Sequence, residues 1–215
     1  MMKFAGYFVL AIVLAYLGAV SQADVVGIVC TDLQNSPYDG DPLPADVWSF
    51  DYHTQTLTIN EVVHDMCPRK LPLPMCVYDS TLRVWGWTAW YAEQATLTII
   101  KNITNETGVA WTSYIQELLP LRSYCLFVEG SAGSEELPEI TYKTQPPLPY
   151  TIEFAGPEPV LDGESVTIRF DVWCDASHPP GKFDFDVTPN PIPEPQTMSL
   201  LALGALTLLR KQKRA

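Results

Sequence analysis

The chain has 215 residues, 47% of them apolar, with 19 Pro, 12 Gly and 5 Cys, enough for one domain with a real core and too apolar for wholesale disorder. Thirteen Lys and Arg stand against 25 Asp and Glu, and five of the bases lie at the ends (Lys3, Arg210, Lys211, Lys213, Arg214), so the stretch between them has 8 bases against 25 acids, a charge of −17. A body of that sign repels phosphate backbones, which excludes nucleic acid as the partner.

In chain order the first element is an address. Met1-Met2-Lys3 starts positive, the run from Phe4 to Val20 is apolar, and Ser21-Gln22-Ala23 places small residues before Asp24. This pattern predicts a secretory signal peptide over residues 1–23, cleaved between Ala23 and Asp24. The apolar run is near the lower limit for crossing a bilayer, so a cleaved signal is expected rather than an anchor. The secretion machinery is the first implied partner.

The body, residues 24–190, reads as short β segments separated by Pro, Gly, Asn and Asp. Val26, Ile28 and Cys30 alternate with Val25, Gly27 and Val29 in a first strand. Residues 47–52 and 55–63 flank His53-Thr54 as a hairpin. Segments 82–91, 95–103, 111–118, 124–129, 139–143 and 150–154 follow. In 166–174, Val166, Ile168, Phe170, Val172 and Cys174 share one face, opposite Thr167, Arg169, Asp171 and Trp173. In 182–187, Phe183, Phe185 and Val187 face in, while Lys182, Asp184 and Asp186 face out. Strict period-two alternation predicts antiparallel sheet with one wet face. No helical stripe interrupts it. The expected fold is all-β, an antiparallel sandwich of about ten short strands.

The five cysteines are Cys30, Cys67, Cys76, Cys125 and Cys174. In an exported chain they form at most two internal disulfides. Cys67 and Cys76 bracket a Pro-rich loop (Pro68, Pro72, Pro74) and are the first candidate pair; a second bridge among the other three remains open. Cys-x8-Cys without a second close pair is not zinc spacing, so no metal site is expected from the thiols. Asp39-Gly40-Asp41 with Asp32 reads as an acidic turn, since the full calcium-loop spacing is missing.

The three histidines, His53, His64 and His178, fall in no nucleophile context, and no Gly-x-Ser-x-Gly occurs. No catalytic residue or cofactor is expected. With 25 acids, pairs of carboxylates are too common to point to a glycosidase. Thr54, Thr56 and Thr58 form one rank, read as the wet face of a strand. Asn102-Ile103-Thr104 and Asn105-Glu106-Thr107 match a glycosylation acceptor only in form. The aromatic strand is the main binding candidate: Trp85, Trp87 and Tyr91 share one face, with Trp90 on the other. Trp on a sandwich strand usually fills the core, and the row Leu82, Val84, Thr88 looks thin without these rings, so a core role is expected. A sugar-stacking platform is the alternative.

The last element has three parts: Pro191-Ile192-Pro193-Glu194-Pro195, twelve residues from Met198 to Leu209 that are mostly apolar, and Arg210-Lys211-Gln212-Lys213-Arg214. Twelve helical residues span about 18 Å, short of a ~30 Å hydrocarbon core. Basic residues behind them suit a transient stop-transfer tag in the inner membrane. In this order, Pro193-Glu194-Pro195, the apolar helix and the basic end resemble the PEP-CTERM sorting signal of bacterial envelopes, over residues 191–215. The resemblance implies processing near the tripeptide by an exosortase, and an exopolysaccharide-producing host. The tail is also labelled an ice-binding protein C-terminal domain, a label that implies no ice binding. Within the body, residues 98–108 running on to Trp111-Thr112-Ser113-Tyr114, and residues 160–166 followed by 183–187, are similar to stretches of small PEP-CTERM proteins. The expected function is a non-catalytic envelope or matrix protein. An exopolysaccharide-binding module is the alternative, and a secreted hydrolase the third.

Overall fold

The alternating segments become twelve strands in the computed structural model, which describes residues 24–32, 47–64, 82–121, 123–143 and 150–194. They are β1 (Val25–Asp32), β2 (Trp48–Asp51), β3 (Thr56–Val63), β4 (Leu82–Thr88), β5 (Gln94–Asn105), β6 (Trp111–Pro120), β7 (Cys125–Phe127), β8 (Gly133–Ser134), β9 (Glu139–Lys143), β10 (Tyr150–Val160), β11 (Ser165–Asp175) and β12 (Lys182–Pro193). One sheet has the order β1-β4-β12-β6-β10-β9. The other runs β2-β3-β5-β11-β7, with β8 also on β11. The β3–β5 pair is parallel and the β5–β11 pair antiparallel, so the second sheet is mixed. The fold is the expected all-β sandwich.

The inward rows of the two sheets make the core. Leu57, Ile59, Leu97, Ile99, Ile103 and Phe170 come from the second sheet. Val84, Tyr114, Leu118, Phe154, Phe183 and Phe185 come from the first. In β11 each of the five residues expected to face inward is buried. The outer face of the second sheet is a polar lattice, as a wet face requires: Asn102 Nδ2 donates to Asn60 Oδ1 at 2.9 Å, Thr167 Oγ1 to Asn102 Oδ1 at 3.1 Å, and Thr98 Oγ1 to Asp171 Oδ1 at 2.8 Å.

Two expectations about facing are corrected. A register shift between Val25 and Gly27 turns the start of β1, so Val25 is buried and Val26 exposed; a bulge resets the period of two. In β4, Leu82, Val84, Gly86 and Thr88 point inward, and Trp85 and Trp87 outward. The inward row is not thin, because Phe183 lies opposite Gly86 and its ring fills the space. A Cβ on Gly86 would sit 2.0 Å from that ring. The glycine lets a neighbouring strand supply the missing bulk.

The last strand runs past Asn190 to Pro193. Its pairing with β4 ends at Val187 opposite Leu82, while pairing with β6 continues to Pro193 opposite Trp111. Glu194 N–H donates to Ala110 O at 2.9 Å. Alternation therefore turns the imide nitrogens of Pro189, Pro191 and Pro193 away from β6, where no ladder bond is lost.

Candidate functional sites

The outward rings of β4 lead to an aromatic corner. A short 3₁₀ turn, Ala89–Tyr91, replaces the strand after Thr88, so Tyr91 does not share the strand face with Trp85 and Trp87. The turn is closed by Thr88 Oγ1 donating to Ala92 O at 2.8 Å, and Thr88 N–H bonds Gly181 O, just before β12, at 3.0 Å. Gly181 has φ +72 and lies so close that a Cβ would meet the Tyr91 backbone at 2.9 Å, so only glycine fits there. Trp90 and Tyr91 carry positive φ and are 97% and 76% exposed; Trp87 is 38% exposed.

Beside this turn, Trp85, Trp87, Ser123, Pro179, Lys182 and Asp184 line an open pocket of about 210 Å³. Cross-strand register sets its chemistry, pairing Lys182 with Trp87 and Asp184 with Trp85. One step further, Arg83 grips Asp186 through two bonds of 2.8 and 3.0 Å, and that carboxylate keeps the guanidinium protonated. The corner thus offers indole and phenol faces together with the Lys182 ammonium, whereas Asp184 and Asp186, expected to face water, are covered at 3% and 6% exposure. Sugar rings stack on such faces, and their hydroxyls bond such groups. Trp85 is half-buried.

A second cluster lies inside the sandwich and was not anticipated. Lys101 of β5 is fully buried and ion-paired with Glu61 of β3. Its Nζ also donates to Gln116 Oε1 at 2.9 Å and Tyr114 Oη at 3.1 Å, both on β6 of the facing sheet. Gln116 passes the link on, donating to Thr188 O at 2.9 Å. Burial pulls the Lys101 ammonium down, with Glu61 opposing that pull; burial and then the Glu61 charge push the Tyr114 phenol well up. The signal was present in the sequence: Leu57, Ile59, Glu61, Val63 and Leu97, Ile99, Lys101, Ile103 each place a charge in an inward row.

The histidines do not converge. His53 sits in the β2–β3 turn, where its N–H donates to Asp51 Oδ1 at 2.8 Å. His64 follows β3 and faces Glu106 at 3.1 Å. His178 lies before β12, with Nδ1 2.9 Å from Ser177 Oγ. Among the described residues no three His, Cys, Asp or Glu side chains are grouped to hold a metal. Ala23, Cys67, Cys76, Asp39, Asp41, Pro195, the apolar segment 198–209 and Arg210, Lys211, Lys213 and Arg214 lie outside the described residues.

The third feature is the mount of the tail. Asn105 is fully buried at the end of β5. Its Nδ2 donates to Val109 O at 2.8 Å and Val160 O at 3.1 Å, and its Oδ1 accepts from Thr107 N–H and Oγ1. Trp111 Nε1 donates to Thr107 Oγ1 at 3.1 Å, and Gly108 N–H to Asp162 Oδ1 at 2.8 Å. These bonds join the 105–111 turn to the 161–164 turn, at the corner where Pro193 pairs with Trp111 and Glu194 bonds Ala110. The two body stretches singled out in the sequence therefore meet where the tripeptide leaves the sheet.

Residues 191–214 match the family model of the PEP-CTERM protein-sorting motif. The chain carries a PEP-CTERM sorting motif. It is thus an exported protein, processed by an exosortase and sorted to the cell envelope or extracellular space. The match concerns sorting and says nothing of ice. No curated protein and no solved structure matches the chain. Among the described residues no helix is long and apolar enough to cross a membrane.

Proposed function

We propose that this protein is a non-catalytic component of the envelope or extracellular matrix, held briefly in the inner membrane by its tail and released when an exosortase cuts there. The observation that carries this reading is the joint between address and body. The PEP-CTERM tripeptide begins with Pro193, the last residue of β12, and Glu194 N–H bonds Ala110 O just before β6, so the sorted object is the sandwich itself. Fractionation of the native host tests it. The protein should appear in the envelope or matrix fraction when the exosortase is present and remain with the inner membrane when it is deleted. The same distribution in both strains would sink the reading.

A second reading is an exopolysaccharide-binding module, favoured by the exposure of Trp87, Trp90 and Tyr91 beside Lys182. Affinity electrophoresis in gels containing host polysaccharide checks it. Retardation lost in a folded Trp87→Ala/Tyr91→Ala variant supports it, and unretarded wild type rejects it.

A further inference from the structure

Three thiols are buried among the described residues: Cys30, Cys125 and Cys174. Two of them are directly opposed. In the β7–β11 ladder Cys174 pairs with Cys125. The ladder bonds decide which kind of pair this is. Asp175 N–H donates to Tyr124 O at 2.8 Å, and Val128 N–H to Asp171 O at 2.9 Å. Antiparallel strands alternate hydrogen-bonded and non-hydrogen-bonded pairs, so 175/124, 173/126 and 171/128 carry the bonds, and 174/125 falls between them. At such positions the Cα atoms are about 4.5 Å apart and the side chains are at their closest, inside the ~4.4–6.8 Å that a disulfide spans. Both side chains point into the core and are fully buried. The Cys125 thiol reaches Asp184 O on the facing sheet at 4.0 Å. Cys30, by contrast, lies on β1 opposite Val84.

We propose that Cys125 and Cys174 form a cross-strand disulfide when the chain is exported, stapling the short edge strand β7 to β11 and leaving Cys30 out of that bond. The inference rests on export, which supplies the oxidising compartment. The bond forms by exchange: one cysteine thiolate attacks a disulfide-bearing oxidant, releasing one of its thiols. The second thiolate then displaces the other, so the pair loses two electrons and two protons and the oxidant leaves as a dithiol. Burial holds the Cys174 thiol well above its ordinary range, with the neighbouring Cys125 adding to the effect. Exchange therefore belongs to the stage before the sandwich closes, when the thiols are still reachable. The staple has a structural reason. A three-residue edge strand has little ladder to hold it, and the bond closes the long chain excursion through β8, β9 and β10.

The full-length gene expressed in the native host supplies the test. Envelope protein is unfolded in the presence of an alkylating agent without reductant and digested with trypsin. The expected result is one species joining residues 123–143 to residues 170–182, lighter by two hydrogens than the sum of the two peptides and resolved into both by reduction. Cys30 should not take part in it. Alkylated Cys125 and Cys174, or either of them linked to another cysteine, overturns the proposal. The same digest reads whether the chain starts at Asp24, so a missing bond is distinguishable from failed export. A Cys125→Ala/Cys174→Ala variant should melt about 10 °C lower than the wild type, and an unchanged melting temperature would count against a staple.

Discussion

Replacing Lys101 by Met removes the positive member of an ion pair that water does not reach. Lys101 is 0% and Glu61 6% exposed, so the Glu61 carboxylate left behind must stay charged in the core or take up a proton. Breaking a buried pair this way costs about 3–5 kcal/mol, or about 6–20 °C in melting temperature for a domain of this size. A further part comes from Gln116 Oε1 and Tyr114 Oη, which lose their donor. In the Lys101→Met/Glu61→Leu protein the stranded charge is gone, while Tyr114 Oη has lost the ammonium and Gln116 Oε1 keeps only the long bond from Tyr114 Oη at 3.5 Å, at a cost of about 1–3 kcal/mol. The double variant should therefore be more stable than the single one, with a coupling of at least about 2 kcal/mol in a double-mutant cycle. Urea unfolding of wild type, both single variants and the double variant supplies the four corners. A Lys101→Met cost below about 1 kcal/mol, or additive effects, would mean that Lys101 reaches water and would refute the buried network.

Gly86→Ala should destabilise by about 1–3 kcal/mol through overpacking against Phe183, and adding Phe183→Leu should recover part of the loss in the same unfolding assay. Trp90→Ala should change stability by less than about 0.5 kcal/mol because the ring packs on little; a loss of several kcal/mol would place that ring in the core after all. Cys30 gives a test in alkali, since burial pushes its thiol from 9.0 up to about 12. Below pH 9 both folded and unfolded states hold the proton; above it the unfolded chain ionises first, so stability falls from pH 9 through about 12, by up to about 4 kcal/mol. Cys30→Ala should lack that portion of the slope, and identical slopes would contradict the burial.

The sandwich was legible where one rule governed a strand. In β11, alternation alone named every buried residue, because β5 pairs along its whole length without a register shift. The rule failed at β4, where burial was a property of two strands rather than one. Gly86 carries no inward bulk, and nothing local says that Phe183 will supply it, so the sequence of β4 by itself points the indoles inward. β8 is two residues long and too short for any period. Lys101 and Glu61 were readable as inward positions, but the acidic composition made single charges look uninformative. The tail was the most legible part, since its order of tripeptide, apolar run and bases is linear. Its mount was not, because Asn105, Asp162 and Trp111 meet only after β5, β6, β10 and β12 have assembled. The opposition of Cys125 and Cys174 likewise depends on a register that no spacing in the chain reveals.

The central claim is that the sandwich is exported and then cut free of its tail at the tripeptide. Intact-mass spectrometry of the envelope form from the native host tests it most directly. The account predicts a dominant species that begins at Asp24 and ends between Pro193 and Pro195, whereas a dominant species still ending at Ala215 would contradict it.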